Sequence, residues 1–414
     1  MVISSDLFIS KTLSLGKKSF QSKRNRSVFV KITFYSFLSF LILSCASSDS
    51  TKRLVKIEPS STYWRDLSLF LSGLPLEEKN QFINLTQSAS YKGYAKAINS
   101  YWTKIDSDYL QKVKPFKKEF MPEKSSANTA LYPLSGADFV NLNAFYPDAI
   151  SNIMIGLEPP GKFTDPNTLT PEQLKAGLNS IQSMVGEMAA QNYFTRKRMK
   201  REFANPHFSG TSPVLLIFMT RLGLEIDFWE RVELDKNGKL IPETESHKAD
   251  KNPDKIEAVR IYFHKPNEKY SRDLVFFKMY INENSAGLQT PEGKFFASQG
   301  NLNLLLKSAE YVLQLPLYEK FIQTILSKTD TVVQDDSAIP YKAFDKTKWD
   351  SRVFGVYTAR ARLQNTPNVP DQLDLQSEFK LNAKSLPFKY GYGVLKGNDK
   401  SNLMILYRKL TINN

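Results

Sequence analysis

The sequence is poor in the residues that announce site chemistry. It has one cysteine and three histidines in 414 residues. A single cysteine excludes an internal disulfide and every cysteine-rich metal site. His207, His247 and His264 leave too little for a multi-histidine centre, so no metal is expected. Glycine at 18 and proline at 21 exclude collagen-like and low-complexity chains. No Gly-x-Ser-x-Gly elbow, His-Glu-x-x-His pair or Walker loop occurs, and nothing calls for a cofactor. What is present, 41% hydrophobic and 12% aromatic, suffices for a large folded body.

The charge is uneven. Residues 1–44 hold seven cations against Asp6, while the remaining chain carries 49 basic and 41 acidic groups. That balance describes a mildly basic surface, and no run in the body is long enough to argue for nucleic acid. The densest, Arg196-Lys197-Arg198-Met199-Lys200-Arg201, fits the end of a long helix, where cations favour the macrodipole.

The basic leader runs into an uncharged segment, Ile32 to Leu43. Twelve residues of helix span about 18 Å, short of the roughly 30 Å of a bilayer core. A basic region followed by a short apolar region is the order of a secretory signal. The segment ends Leu41-Ile42-Leu43-Ser44-Cys45. It resembles the lipobox of bacterial lipoprotein precursors, in the looser form familiar among spirochaetes. The resemblance implies lipidation of Cys45 by thioether, cleavage after Ser44 and acylation, as by palmitate, of the new terminus. The expected organisation is therefore a signal peptide over 1–44, a lipidated Cys45 with a polar tether over 45–62, and one globular body over 63–414. The location this implies is the cell envelope, lipid-anchored and extracytoplasmic, at the periplasmic or outer-membrane surface.

Within the body, apolar spacing predicts helices over most of 62–120, with Lys112–Lys124 a connector broken by Pro115 and Pro122. Ala130–Ser135, a short helix over Asp138–Phe145, and Ile153–Leu157 form a βαβ unit and imply parallel pairing. Thr170-Pro171-Glu172-Gln173 is a capping box opening a helix expected to reach Phe203. Another helix is expected over 212–222. Hairpins are expected over 224–241, around Asn237-Gly238, and over 256–281. Helices are predicted for Asn301–Leu315 and Tyr318–Leu326. Strands are predicted near 331–333 and over 352–357, 373–379 and 402–407. The class is α/β: a mixed sheet with one βαβ unit, antiparallel hairpins and flanking helices.

Two acidic blocks are the candidate site. Gly136 turns the chain after the first strand of the βαβ unit, and Glu158 ends the second. Rossmann-like folds hold a nucleotide with such a pair, but one glycine stands where that fingerprint wants three. Asp335-Asp336 lies in a turn, and adjacent acids on an extended strand face opposite ways. Gly136, Asp138, Glu158, Asp335 and Asp336 are expected either to line one cleft or to cap their own turns.

Several blocks together resemble an uncharacterised family of exported bacterial envelope proteins. They are Tyr132–Phe139, Phe145-Tyr146-Pro147, Gly156–Pro159, Gln334–Tyr341, Trp349, Phe354–Tyr357, Pro387–Tyr392 and Ser401-Asn402-Leu403. The resemblance implies one architectural unit and lends no activity. The expected function is a membrane-anchored envelope lipoprotein presenting a surface to a protein or small-molecule partner. The alternatives are an extracytoplasmic enzyme, hydrolytic and using an acidic cleft, and a structural envelope component.

Overall fold

The computed structural model describes residues 55–56, 62–122, 126–243, 256–281, 289–358, 370–393 and 400–409. The expected signal peptide, Cys45 and nearly all of the tether lie outside the described residues. The described residues beyond 62 pack as one compact unit.

After β1 (Val55–Lys56) come α1 (Tyr63–Leu71) and α2 (Ala89–Ile105). A π-helical turn, Asp106–Leu110, runs into α3 (Gln111–Phe120), which carries Pro115 inside it. The expected connector at 112–124 is thus mostly helix. Its Val113 and Phe116 are buried, three residues apart on one face.

The βαβ unit follows as β2 (Thr129–Tyr132), α4 (Phe139–Phe145) and β3 (Ser151–Gly156), with β2 and β3 parallel. α5 (Pro171–Gln191) begins at Thr170, whose hydroxyl accepts from Gln173 N while Gln173 Oε1 accepts from Thr170 N. The helix expected to reach Phe203 stops at Asn192, which takes a left-handed conformation at φ 59°. A separate α6 (Arg196–Glu202) holds the basic run. α7 (Ser212–Arg221) is sealed in the core.

β4 (Glu225–Leu234) and β5 (Leu240–Pro242) form the first hairpin, in which Gly238 supplies the positive φ. β6 (Glu257–His264) and β7 (Tyr270–Lys278) form the second. α8 (Pro291–Ser298) opens on Thr290 and Pro291, a cap and first-turn proline the sequence reading passed over.

Leu302–Leu306 is not helix but strand β8, paired in parallel on both sides. A strand buried on both faces reads as a continuous apolar run, and periodicity alone does not separate it from a buried helix. α9 (Glu319–Ser327), β9 (Thr329–Gln334) and β10 (Trp349–Gly355) follow. α10 (Leu373–Asn382) stands where a strand was expected. Leu375 and Phe379, four apart, are buried and Leu373 is exposed, which is the one-face burial of a helix. β11 (Asn402–Arg408) completes the chain.

Among the described residues the strands form one eleven-stranded sheet, ordered β10-β11-β9-β8-β2-β3-β7-β6-β4-β5, with β1 paired to β7. Its centre, β9-β8-β2-β3-β7, is parallel, and the wings are antiparallel. This is the expected α/β class with a mixed sheet. Alternate residues feed two cores. Ala130, Met154, Leu274 and Leu305 pack under α2, α4, α5 and α7, while Leu131, Ile153, Val275 and Leu304 pack under α8, α9 and α10.

Candidate functional site

In an open parallel sheet, ligands bind outside the carboxyl ends of the strands, where the strand order reverses. Here β2, β3 and β7 succeed one another in one direction across the sheet, and the chain then returns to place β8 and β9 on the other side of β2. The reversal lies between β2 and β8. The segment after β2 leads to α4 on one face, and the segment after β8 leads to α9 on the other. The loops therefore part and leave a crevice between them.

Asp138 and Lys307 meet in that crevice. Asp138 caps α4, accepting from Asn141 N at 3.1 Å. Its carboxylate also takes the Asn141 amide, the Tyr132 hydroxyl at 3.1 Å and the Lys307 ammonium at 2.5 Å. Lys307 donates in addition to the Asn192 carbonyl at 2.5 Å. Tyr109 donates to Asn141 Oδ1, and Asn141 Nδ2 donates to Asn192 Oδ1 at 3.1 Å. The left-handed turn at Asn192 is thereby bonded from below, and its own amide reaches the Lys389 carbonyl at 2.9 Å.

Asp335 closes the network from the β9 side. Its carboxylate accepts from Ser308 N at 3.2 Å, from the Ser337 hydroxyl at 2.8 Å and from Tyr392 N. Burial pushes this carboxyl above the usual aspartate range. Burial also lowers Lys307, against the opposing pull of Asp138 and, more weakly, Asp335. Three residues just after Lys307, namely Ser308, Glu310 and Tyr311, have positive φ. Each such conformation costs an L-residue about 1–2 kcal/mol. The Ser308 bond to Asp335 and the Tyr311 N bond to Ser337 O hold that loop in place. Gly391 closes over Asp335: at φ +86° it leaves no room for a Cβ, which would stand 2.5 Å from Asp335 Cβ.

The sequence candidates divide accordingly. Asp138 pairs with Lys307 and Asp335 takes the backbone of the adjacent Ser308, both acids almost without exposure, at 2% and 0%. Gly136 makes the turn after β2 at φ +53°, facing Met199. Glu158 sits past β3, with its carboxyl raised by burial and Arg196 as its charged neighbour. Asp336 points the other way from Asp335: its Oδ2 accepts from Thr358 N at 2.6 Å, and its amide donates to Asn402 Oδ1 at 2.9 Å. Asp335 and Asp336, in the turn just past β9, thus serve different loops. The four acids do not line one open cleft.

One open groove lies against the buried network. Half-closed and of about 690 Å³, it runs between the end of α2 with the start of α3, the end of α5, and the segment 383–389. Tyr109, Asn192 and Phe388 line it, so two members of the network form part of its floor. Its charged lining is Lys104, Lys112, Lys384 and Lys389 against Asp108. Lys104 bridges to Asp108, and Lys384 lies over the Phe120 ring, 5.0 Å from its centroid. Comparison with protein-family models, curated proteins and solved structures finds no match to this chain.

Sequence reasoning missed Lys307 and the groove. Lys307 was legible only as a cation ending the run Leu302-Asn303-Leu304-Leu305-Leu306, and reading that run as helix hid its place at a strand end. The groove lysines come from two distant segments, 104–112 and 384–389, and carry no common spacing. The block Pro387–Tyr392, quoted above for a resemblance, supplies Phe388 and Lys389 to the groove and Gly391 and Tyr392 to the cover over Asp335.

Proposed function

We propose that this chain is a lipid-anchored, extracytoplasmic envelope protein whose α/β body binds an anionic small molecule in the groove above Asn192. The observation that carries the reading is the lysine-rich groove whose floor residue Asn192 is hydrogen-bonded to Asn141 and Lys307, the network at the reversal of strand order. Its volume falls within the roughly 300–1,000 Å³ of small-molecule sites. A surplus of three positive charges around a concave wall attracts anions and discriminates against cations. The buried network gives the floor a fixed shape, because Asn192 is bonded through both its side chain and its carbonyl. Anchoring through Cys45 is supported by the leader and lipobox described above.

Among the described residues, Asp138 and Asp335 do not form the open acidic cleft of the enzyme reading. Asp138 and Asp335 are occupied by internal donors and nearly sealed from water. The groove above them carries one acid, Asp108, bound to Lys104.

The test uses anilinonaphthalene sulfonate, an anion with an apolar body. It should bind saturably, more weakly as salt rises, and about tenfold more weakly to the double variant Lys112→Glu/Lys384→Glu. Equal binding by the two proteins, with equal melting temperatures, would remove the groove from consideration.

A further inference from the structure

We infer that the groove takes a single-chain anionic amphiphile, a fatty-acid-like molecule with its head among the lysines and its tail along an apolar wall. This deepens the preceding reading and rests on it. Charge is only part of the lining. Between the lysines the groove presents exposed Ala190, Ala383 and Pro387 and half-buried Leu386, over a floor in which Ile105, Met188 and Phe388 are buried, and Val356 is 56% exposed. The wall begins at Ala383, directly after α10, and that helix leaves Leu381 78% exposed two residues before the groove. A small hydrophilic anion such as phosphate would satisfy the cations and leave this apolar surface wet. A molecule with an anionic end and an apolar chain covers both, because apolar area withdrawn from water and charge pairing then act together.

The shape selects one chain rather than a membrane surface. The lysines stand around a concavity closed by segments on opposite sides, which a flat bilayer cannot enter. The exposed lysines can keep their heads in water while their methylene stems extend the apolar lining.

The experiment uses the full chain carrying Cys45→Ser, so that no attached acyl chain competes. Any binding by the apolar leader is common to every variant and cancels in the comparison. Dodecanoate, kept below its micelle concentration, should displace anilinonaphthalene sulfonate. Dodecanol should do so about tenfold more weakly, and acetate and inorganic phosphate not measurably. Lys112→Glu/Lys384→Glu should weaken dodecanoate about tenfold and narrow its advantage over dodecanol. Val356→Asp, at an exposed position, should weaken dodecanoate without lowering the melting temperature. Two results would overturn the inference: phosphate or acetate competing as well as dodecanoate, or binding to phosphatidylglycerol vesicles with none to monomeric dodecanoate. Retained, lysine-dependent sulfonate binding in either case would leave the anion-binding reading standing. Loss of lysine dependence for the sulfonate itself would bring down both.

Discussion

Lys307, at the end of β8, and Asp138, at the cap of α4, form an ion pair at 2.5 Å in which neither side chain is more than 3% exposed. The pair joins the two strands between which the sheet reverses its order, and through Asn192 it supports the floor of the groove. Taking two charges out of water is costly, and the neighbours that repay it here are Asn141, Tyr132 and the Asn192 carbonyl. Four predictions follow from this centre and from the leader.

Lys307→Met leaves a buried carboxylate without its cation. The expected loss is about 3–5 kcal/mol in chemical denaturation. Adding Asp138→Asn removes the stranded charge and should recover part of that loss. A single-variant loss below about 1 kcal/mol, the scale of an exposed pair, would contradict the central place given to Lys307.

Asp335 predicts a pH dependence. Its folded-state pKa lies above the ordinary 3.8 of an unfolded aspartate, because burial disfavours the charge. Between those two values the folded state holds the proton more tightly, so stability falls as pH rises through that window. Below it, both states are protonated and the penalty is absent. Asp335→Asn should flatten this part of the profile of denaturation midpoint against pH. An unchanged slope would assign the dependence to another group.

Gly391→Ala should destabilise by about 2 kcal/mol or more, through a left-handed backbone and a Cβ driven into Asp335. The control is Gly223→Ala, at φ +80° with nothing within 4 Å, which carries backbone strain alone. Equal melting temperatures for the two variants would mean that the contact with Asp335 relaxes freely.

Cys45→Ser should abolish incorporation of labelled palmitate and leave a larger, unprocessed precursor. Two or more acyl chains make a stable anchor, since each buried CH₂ adds about 0.8 kcal/mol, so the variant should be held to membranes only by its uncleaved leader. Equal labelling of both proteins would end the lipoprotein reading.

Local signals were legible where a few neighbouring residues decide the outcome. Thr170, Pro171 and Gln173 close a capping box as their side chains require. Asp138 caps α4, and the βαβ unit pairs in parallel. The failures have a common cause. Leu302–Leu306 and Leu373–Phe379 are short apolar patterns, and which faces are buried depends on neighbours far along the chain. Asn192 ends α5 without glycine or proline, held by Lys307 and Lys389 from remote segments.

The candidate site divides along the same line. By itself the sequence determined that one cysteine stands behind a short apolar leader, that metal-rich chemistry has few ligands, and that acids sit at strand ends. These follow from residue identity and spacing over a few positions. Only the tertiary structure decided that Asp138 closes on Lys307 and Asp335 on the Ser308 backbone rather than on solvent, and that lysines from α2, α3 and the segment after α10 rim one groove. The reason is the order of the strands. A sheet that reverses between β2 and β8 brings together residues about 170 positions apart, and no local pattern encodes which strand will be whose neighbour.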